Sequence, residues 1–489
     1  MLVESLLAAA DAASPDAQVA DPFRSLNFRN LARLADVMRR QVVAATNNSN
    51  VGIMIPSSCA FAGAAMGIFW AGRTLVPLNF LLQPAELAAV VADSGLDTIF
   101  AIRHFQKALD PLPVRKIYIE DLPLKRQMIL QRIRRMPPAP KVAADDTAIL
   151  LYTSGTSGVP KGVCQTYRGL RSDIDACIEK ARLTDHHRFL GVLPLFHSFG
   201  LTAMLLVPIT LCASVYYVPK FTPAGLFEIV RQQRSSITIM IASMYTAMLR
   251  AKQARADDLK TIEYAISGGE ALPMTTFAFF KERVNVEILQ GYGMTEASPV
   301  VSLNVPWAHK IGSVGQPIPG IETRSFDDAN NPLGVDQPGE LWIRGPIVMK
   351  GYYRKAADTA AAITPDGWYK TGDMAAIDAD GYITITGRKK EMIIVGGENV
   401  YPREIEAVLD NHPAVAESAV VGQMDPSRGE VVVAFVVPKD GQELTETALR
   451  EFCRDRVAGY KTPRRVIIAR DLPRGPTGKI LKRKLVELL

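Results

Sequence analysis

Cysteine is scarce in this chain of 489 residues. The five present, Cys59, Cys164, Cys177, Cys212 and Cys453, are scattered and odd in number. No pair has the spacing of a zinc ligand set, and such a set makes no disulfide framework, so the thiols read as reduced and the compartment as cytoplasmic. Basic residues are missing from the N-terminal MLVESLLAAADAASPDAQ, which carries Glu4 where a signal peptide would be positive; none is expected. Charge is missing from two stretches, Gln41 to Gly72 and Phe189 to Pro219. In the second, Leu201 to Val218 approaches the length of a spanning helix. Pro208 interrupts it, however, and SVYYV (214–218) has strand composition, so a buried helix followed by a strand is expected and no transmembrane span. A large excess of one charge is also missing. The net charge of +6 suits anionic ligands and gives no argument for nucleic acid as a partner.

The length exceeds what one hydrophobic core supports, so two or more domains are expected. Over the first 300 or so residues, strand-like runs alternate with helical patterns. The strands are VGIMI (51–55), TIFAI (98–102), KIYI (116–119), FLGVL (189–193), SVYYV (214–218), ITIMI (237–241) and VEIL (286–289); helical patterns include 84–95 and 223–234. Near-continuous apolar strands alternating with helices predict parallel sheets covered on both faces. From Ile311 onward glycine and proline become dense, as in a small β-rich region. The last hundred residues read as a separate compact α+β domain. LKRQMILQRIRRMPPAP (124–140) is basic, with apolar residues near helical spacing. It reads either as a solvated linker helix or as a helix giving weak association with a membrane surface.

Residues 152 to 162, YTSGTSGVPKG, describe a phosphate cradle after the apolar AILL (148–151). Hydroxyls of Thr153, Ser154, Thr156 and Ser157 alternate with Gly155 and Gly158, whose bare backbone permits close approach, and Lys161 adds a cation. The P-loop of kinases and GTPases ends in Gly-Lys-Ser/Thr. Here Pro160 precedes the lysine and Gly162 follows it, so no hydroxyl stands where a P-loop holds its metal. A flexible Ser/Gly linker would need neither the strand nor the lysine. Further clusters follow: His197 in PLFHSFG, ISGGEAL (266–272), QGYGMTEAS (290–298), WYKTGD (368–373), GRKKEMIIVGGENVYPREIE (387–406) and LPRGPTGKI (472–480). Taken alone, His197 reads as a core residue, and Glu296 beside a phosphate loop as a Mg²⁺ ligand.

In this order the motifs are specific, and the chain resembles the acyl-adenylate-forming superfamily: acyl-CoA synthetases, adenylation domains of peptide synthetases and beetle luciferases. The resemblance runs from about Asn27 to the end. It implies an α/β fold with a large N-terminal domain (1–388) of two parallel-type sheets with helices plus a small β-barrel. A small mobile α+β C-terminal domain (389–489) would hinge near Lys390. It further implies that Thr153, Ser154, Gly155, Thr156, Ser157, Gly158 and Lys161 hold the β- and γ-phosphates, and that Gly268, Gly269 and Glu270 flank adenine. Tyr292, within Gly291–Gly293, would stack on adenine; Thr295 would contact the α-phosphate; Glu296 with Thr156 would hold Mg²⁺. Asp373 and Arg388 match ribose or phosphate contacts. Lys479 matches the lysine bridging carboxylate and α-phosphate, and Gly396 and Gly397 the lining of the thiol acceptor's tunnel. His197 matches the gate between acyl pocket and tunnel, which displaces the core reading.

The reaction so implied is an ATP-dependent activation of a carboxylic acid as acyl-AMP, with release of pyrophosphate, followed by transfer to CoA or to a carrier protein's phosphopantetheine. Expected pocket positions Phe196, Phe199, Met244, Met294 and Val300 are apolar, with no carboxylate to hold an amino group. That favours an apolar acid, and the run GYGMTEASPVVSLNVP looks like that of bacterial fatty-acyl synthetases. An aryl acid, an acyl-AMP ligase that loads a carrier protein without CoA, a luciferase-like oxygenase and an inactive binding homologue stay open as alternatives. Arg464, Arg465, Arg474, Lys482 and Arg483 read either as contacts for an anionic acceptor or as a solvated basic tail.

Overall fold

The computed structural model describes residues 1–153, 160–249, 256–425, 428–474 and 480–489. Two large sheets form the framework. One has the order Gly351–Tyr352, Lys161–Thr166, Thr147–Thr153, Thr74–Pro77, Asn50–Met54, Thr98–Ala101, Arg115–Tyr118. From Thr147–Thr153 to Arg115–Tyr118 its neighbours run parallel; the two remaining pairs are antiparallel. In the second, Ile288–Gly293, Tyr264–Ser267, Ile237–Met240, Arg188–Gly191, Ser214–Tyr217 and Gln18–Asp21 form a parallel centre, with antiparallel strands added at both edges.

Most of both uncharged stretches lies in this core, the exposed residues of the first all standing before Asn50 except its last, Gly72. The helix Cys59–Trp70 is buried at every residue except Ala60, which is why it carries no charge. It lies against Phe28–Ala45 so closely that a Cβ at Gly63 would come within 2.5 Å of the Leu34 side chain, and one at Gly67 within 2.6 Å of Met38 Cβ. Such contact lies well inside ordinary packing distance, so only glycine fits there. The second stretch folds as a helical segment, Ser198–Leu201 through a wide turn at Thr202–Leu206 to Val207–Leu211, and then the strand Ser214–Tyr217. Pro208 has no N–H to offer the carbonyl four residues earlier; the buried Tyr217 hydroxyl donates to that Met204 carbonyl at 3.1 Å. Among the described residues no helix is long and apolar enough to cross a membrane.

The expected barrel is corrected. Glu322–Phe326, Gly339–Arg344, Tyr369–Ile377 and Ile383–Arg388 form an antiparallel sheet in that order, and among the described residues its two end strands do not pair. Four strands supply too little width to wrap a closed interior. Beyond it, Glu398–Val400, Ile393–Val395, Gly429–Pro438 and Val415–Asp425 form another sheet, with Arg465–Ile468 parallel to Gly429–Pro438. Helices Pro402–Asp410 and Glu446–Arg454 pack on it, and its buried clusters draw only on residues from Ile393 onward.

At the end of Pro402–Asp410, Asp410 accepts the Ser418 hydroxyl at 2.7 Å. Burial first, then the neighbouring Glu406 and Glu417 carboxylates, push the Asp410 carboxyl up to about 7, against that hydrogen bond. The native state therefore keeps a proton that the unfolded chain releases, and stability falls as pH rises from the ordinary carboxylate range toward 7. Asp410→Asn, which has no proton to lose, is expected to match wild type at about pH 4 and to exceed it at about pH 8, by at most about 4 kcal/mol. Urea unfolding at both pH values measures the difference.

Candidate active site

The hairpin Thr147–Thr153/Lys161–Thr166 places Thr153 opposite Lys161 at its mouth. Ser154, Gly155, Thr156, Ser157, Gly158 and Lys479 lie outside the described residues. Lys161 Nζ stands 3.1 Å from Asp358 Oδ2 and 5.1 Å from the centre of the Tyr352 ring. Tyr352 reaches it because Gly351–Tyr352 pairs onto the hairpin's outer strand. The same Tyr352 hydroxyl donates to Glu296 Oε1 at 3.2 Å and meets the Tyr369 hydroxyl at 3.4 Å. Lys161 and Glu296, far apart in sequence, thus share one tyrosine.

QGYGMTEAS does not follow a strand, as the sequence predicts, but continues one. The strand runs Ile288–Gly293, because Val300–Leu303 folds back antiparallel on Gly291–Gly293. Tyr292 points its hydroxyl at Asp373 Oδ2, 2.5 Å away, and Arg388 Nε stands 2.9 Å from Asp373 Oδ1. Asp373 and Arg388 face each other across Tyr369–Ile377 and Ile383–Arg388. Asp373 is only 4% exposed, so its charge depends on these two partners. Burial and the Asp373 carboxylate together hold the Tyr292 hydroxyl well above the usual phenol range. Burial raises the Glu296 carboxyl, opposed by hydrogen bonds that include Tyr352.

Glu270 accepts the backbone N–H of Ser243 at 3.0 Å and its hydroxyl at 2.6 Å, so its carboxylate is committed to the start of helix Ala242–Met248. A Cβ on Gly268 would meet the Phe199 ring at 3.0 Å, and Gly269 has φ +85°. Phe199, Met244, Met294 and Val300 are half-buried against the main core, and Phe196 is buried. The exposed His197 precedes helix Ser198–Leu201 with its ring tilted on Phe196, 5.2 Å between centres. The main-chain carbonyl of Thr295 accepts from Gln165 Nε2 at 2.7 Å, and the Ser198 hydroxyl accepts from the same nitrogen at 2.8 Å.

Lys390 is exposed within the short turn Lys389–Glu391, and partial burial, then Arg388, lowers its pKa against the pull of Glu391 and Asp373. Gly396 and Gly397, at φ +63° and +91°, make the exposed two-residue turn between Ile393–Val395 and Glu398–Val400, a conformation that suits glycine. Flanking Lys479, Arg474 bridges Ile480, and Lys482 Nζ is shared by Glu406 (2.7 Å) and Glu391 (3.2 Å). Arg474 pairs with Glu417, and Arg483 stands 3.7 Å from Glu487, so Arg464 and Arg465 alone of the five basic candidates have no carboxylate partner among the described residues.

Sequence reasoning missed Tyr352, Tyr369 and Gln165. The first two are ordinary tyrosines until strand pairing brings them to Glu296. Gln165 carried a signal: a lone amide in the strand Lys161–Thr166, fully buried, with Oε1 unpartnered.

The pattern of the family described as AMP-binding enzyme matches residues 7–353, and that of the AMP-binding enzyme C-terminal domain matches 404–479. The chain belongs to the AMP-binding enzyme family. It is 34% identical to a long-chain-fatty-acid–CoA ligase of Yersinia pestis, over 95% of this chain and 89% of that protein. It is also 34% identical to a feruloyl-CoA synthase of an Amycolatopsis species, over 93% and 91%. The crystal structure of ATP-bound MatB from Rhodopseudomonas palustris superposes with a TM-score of 0.91 at 26% identity, covering 100% of this chain and 99% of that one.

Tyr292→Phe removes the hydroxyl that donates to Asp373 beside the Arg388 cation. A hydrogen bond to a charged group contributes about 1.5–3 kcal/mol, so a stability loss of that size is expected in chemical unfolding. Tyr292→Phe combined with Asp373→Asn should lose markedly less than the sum of the two single changes.

Proposed function

We propose that the chain is an AMP-forming acid–thiol ligase that activates a fatty acid with ATP and passes the acyl group to CoA. The observation that carries this reading is the contact path Lys161–Tyr352–Glu296, with Tyr292 and Arg388 gathered on Asp373, which shares a strand with Tyr369. One edge offers a cation at the mouth of the Ser/Thr/Gly loop. Beside it stands the half-buried carboxylate of Glu296, and beyond that a carboxylate suited to ribose hydroxyls. The ATP-bound relative supports the nucleotide, and the Yersinia ligase the fatty acid and CoA. An aryl acid is the second reading, favoured by the feruloyl-CoA synthase and the aromatic pocket positions Phe196 and Phe199. A carrier-protein thiol remains the alternative acceptor.

Glu296 fits Mg²⁺. Mg²⁺ takes one or two carboxylates and fills its other positions with phosphate oxygens and water, and Glu296 is a single carboxylate whose burial disfavours an uncompensated charge. Thr156 would add a hydroxyl. When bound there, the ion would supply neutralisation of phosphate charge.

In the first half-reaction the acid's carboxylate attacks the α-phosphate. Two anions approach, so the ammonium of Lys479 belongs at their junction, with Thr295 at the α-phosphate. Preorganised donors at such a point are worth about 3–4 kcal/mol, or 10²–10³ in rate. Pyrophosphate leaves along Thr153–Lys161. Adenine lies between Tyr292 and the Gly268–Glu270 segment, and Asp373 with Arg388 holds the ribose. In the second half-reaction a thiol enters past Gly396 and Gly397, His197 gates it from the acyl pocket, and AMP departs. We place the domain boundary at 388/389 and the pivot at Lys390, so that one small domain serves both steps.

Lys479→Ala is expected to cut acid-dependent ATP–pyrophosphate exchange at least 100-fold while sparing thioester formation from supplied acyl-AMP; equal loss in both assays would sink the two-step assignment. Lys390→Pro should leave exchange within about threefold of wild type and slow thioester formation at least tenfold, read by single-turnover transfer to CoA. Running exchange across fatty and aryl acids ranks the two substrate readings.

A further inference from the structure

The helix Leu124–Gln131 presents apolar side chains on both sides. Leu124 and Met128 pack on the main core, and Gln131 is buried beside them. On the outside, Ile129 is 63% exposed and Ile133, one turn on, 86%, with Leu130 exposed between them. A surface helix normally carries polar residues there. Around this stripe stand Lys125, Arg126, Arg132, Arg134 and Arg135, all exposed, and none pairs with a carboxylate among the described residues. The positive field extends onto helix Phe28–Ala45, where burial, then Arg132 and Arg29, depress the pKa of Arg33. The only polar partner of Arg33 among the described residues is Asn30, at 2.9 Å. Isoleucines standing into solvent within a ring of unneutralised cations have one complementary surface: anionic headgroups over an acyl interior.

We propose that Leu124–Gln131 and the turn through Arg135 dock on an anionic lipid bilayer, with Ile129 and Ile133 entering the headgroup boundary and the surrounding arginines on the phosphates. The contact is peripheral and electrostatic, since no helix among the described residues can span. It is independent of the ligase reading.

The test is co-sedimentation of the full chain with vesicles of phosphatidylcholine alone and of phosphatidylcholine with about one-third phosphatidylglycerol, at low and high salt. Expected is partition to the anionic vesicles at least tenfold stronger than to neutral ones and lost in about 0.5 M salt. Ile129→Glu/Ile133→Glu should lower it about tenfold with an unchanged unfolding midpoint, and Arg132→Gln/Arg134→Gln/Arg135→Gln should do likewise. Equal partition to neutral and anionic vesicles, or binding unaltered by both variants, overturns the proposal. So does an oligomer in size-exclusion chromatography that the isoleucine variant dissociates, because the stripe then faces a second copy of the chain.

Discussion

A carboxylate that is almost wholly buried needs partners where it stands, and at the candidate site Asp373 is such a group. Its partners come from different parts of the chain. Tyr292 is delivered by the parallel sheet through Ile288–Gly293, and Arg388 by the neighbouring strand of the four-stranded sheet. Losing either leaves the other facing a poorly compensated charge, so the three residues hold the two sheets in register. Tyr369, four residues before Asp373 on the same strand, extends this alignment to Tyr352 and thereby to Glu296 and Lys161. The site is therefore an assembled thing: a hairpin, the end of a parallel strand and an antiparallel sheet, each useless for nucleotide chemistry alone.

Much of this was legible in the sequence for physical reasons. Buried parallel strands leave unbroken apolar runs, and ITIMI and TIFAI contain the fully buried strands Ile237–Met240 and Thr98–Ala101, each one residue shorter than read. The uncharged run around Pro208 resolved into helix and strand because proline and a β-branched, tyrosine-rich segment mark the change. The family followed from the order of short motifs rather than from any one of them. Strand ends were less legible. VEIL runs on into GYG because its partner Val300–Leu303 lies beyond the motif, and no local rule reports a partner. The barrel fails for the same reason: glycine and proline density marks turns between short strands but carries no information on whether the outer strands meet.

Side chains that act through a neighbour were invisible. Tyr352 becomes meaningful only when Gly351–Tyr352 pairs with the hairpin's strand. Gln165 is different, because a buried amide in an apolar strand is costly unless bonded, and its nitrogen serves both the His197 segment, through Ser198, and the Glu296 motif, through Thr295. A lone polar residue within a buried strand is a signal that periodicity alone discards.

Around the proposed pivot at Lys390, domain movement and nucleotide contact would be linked through one side chain. Glu340, only 11% exposed, accepts the N–H of Gly372, one residue before Asp373, through Oε1 and binds Lys389 Nζ at 3.1 Å through Oε2. Lys389 also pairs with the largely exposed Asp328. Lys389, which precedes the proposed pivot, and the backbone beside Asp373, the proposed ribose ligand, thus hang on one carboxylate. A rotation that begins after Lys389 would keep both contacts of that carboxylate; one that begins before Arg388 would tear Lys389 from Glu340 and Arg388 from Asp373. Half-exposed ion pairs contribute only about 0–1 kcal/mol each, so Lys389 alone would not stop the earlier pivot. Separating Arg388 from Asp373 would cost more, because Asp373 is buried and would lose its cation, while Arg388 itself is half-exposed. The pivot proposed at Lys390 lies beyond both pairs, so a turn there would break neither of them.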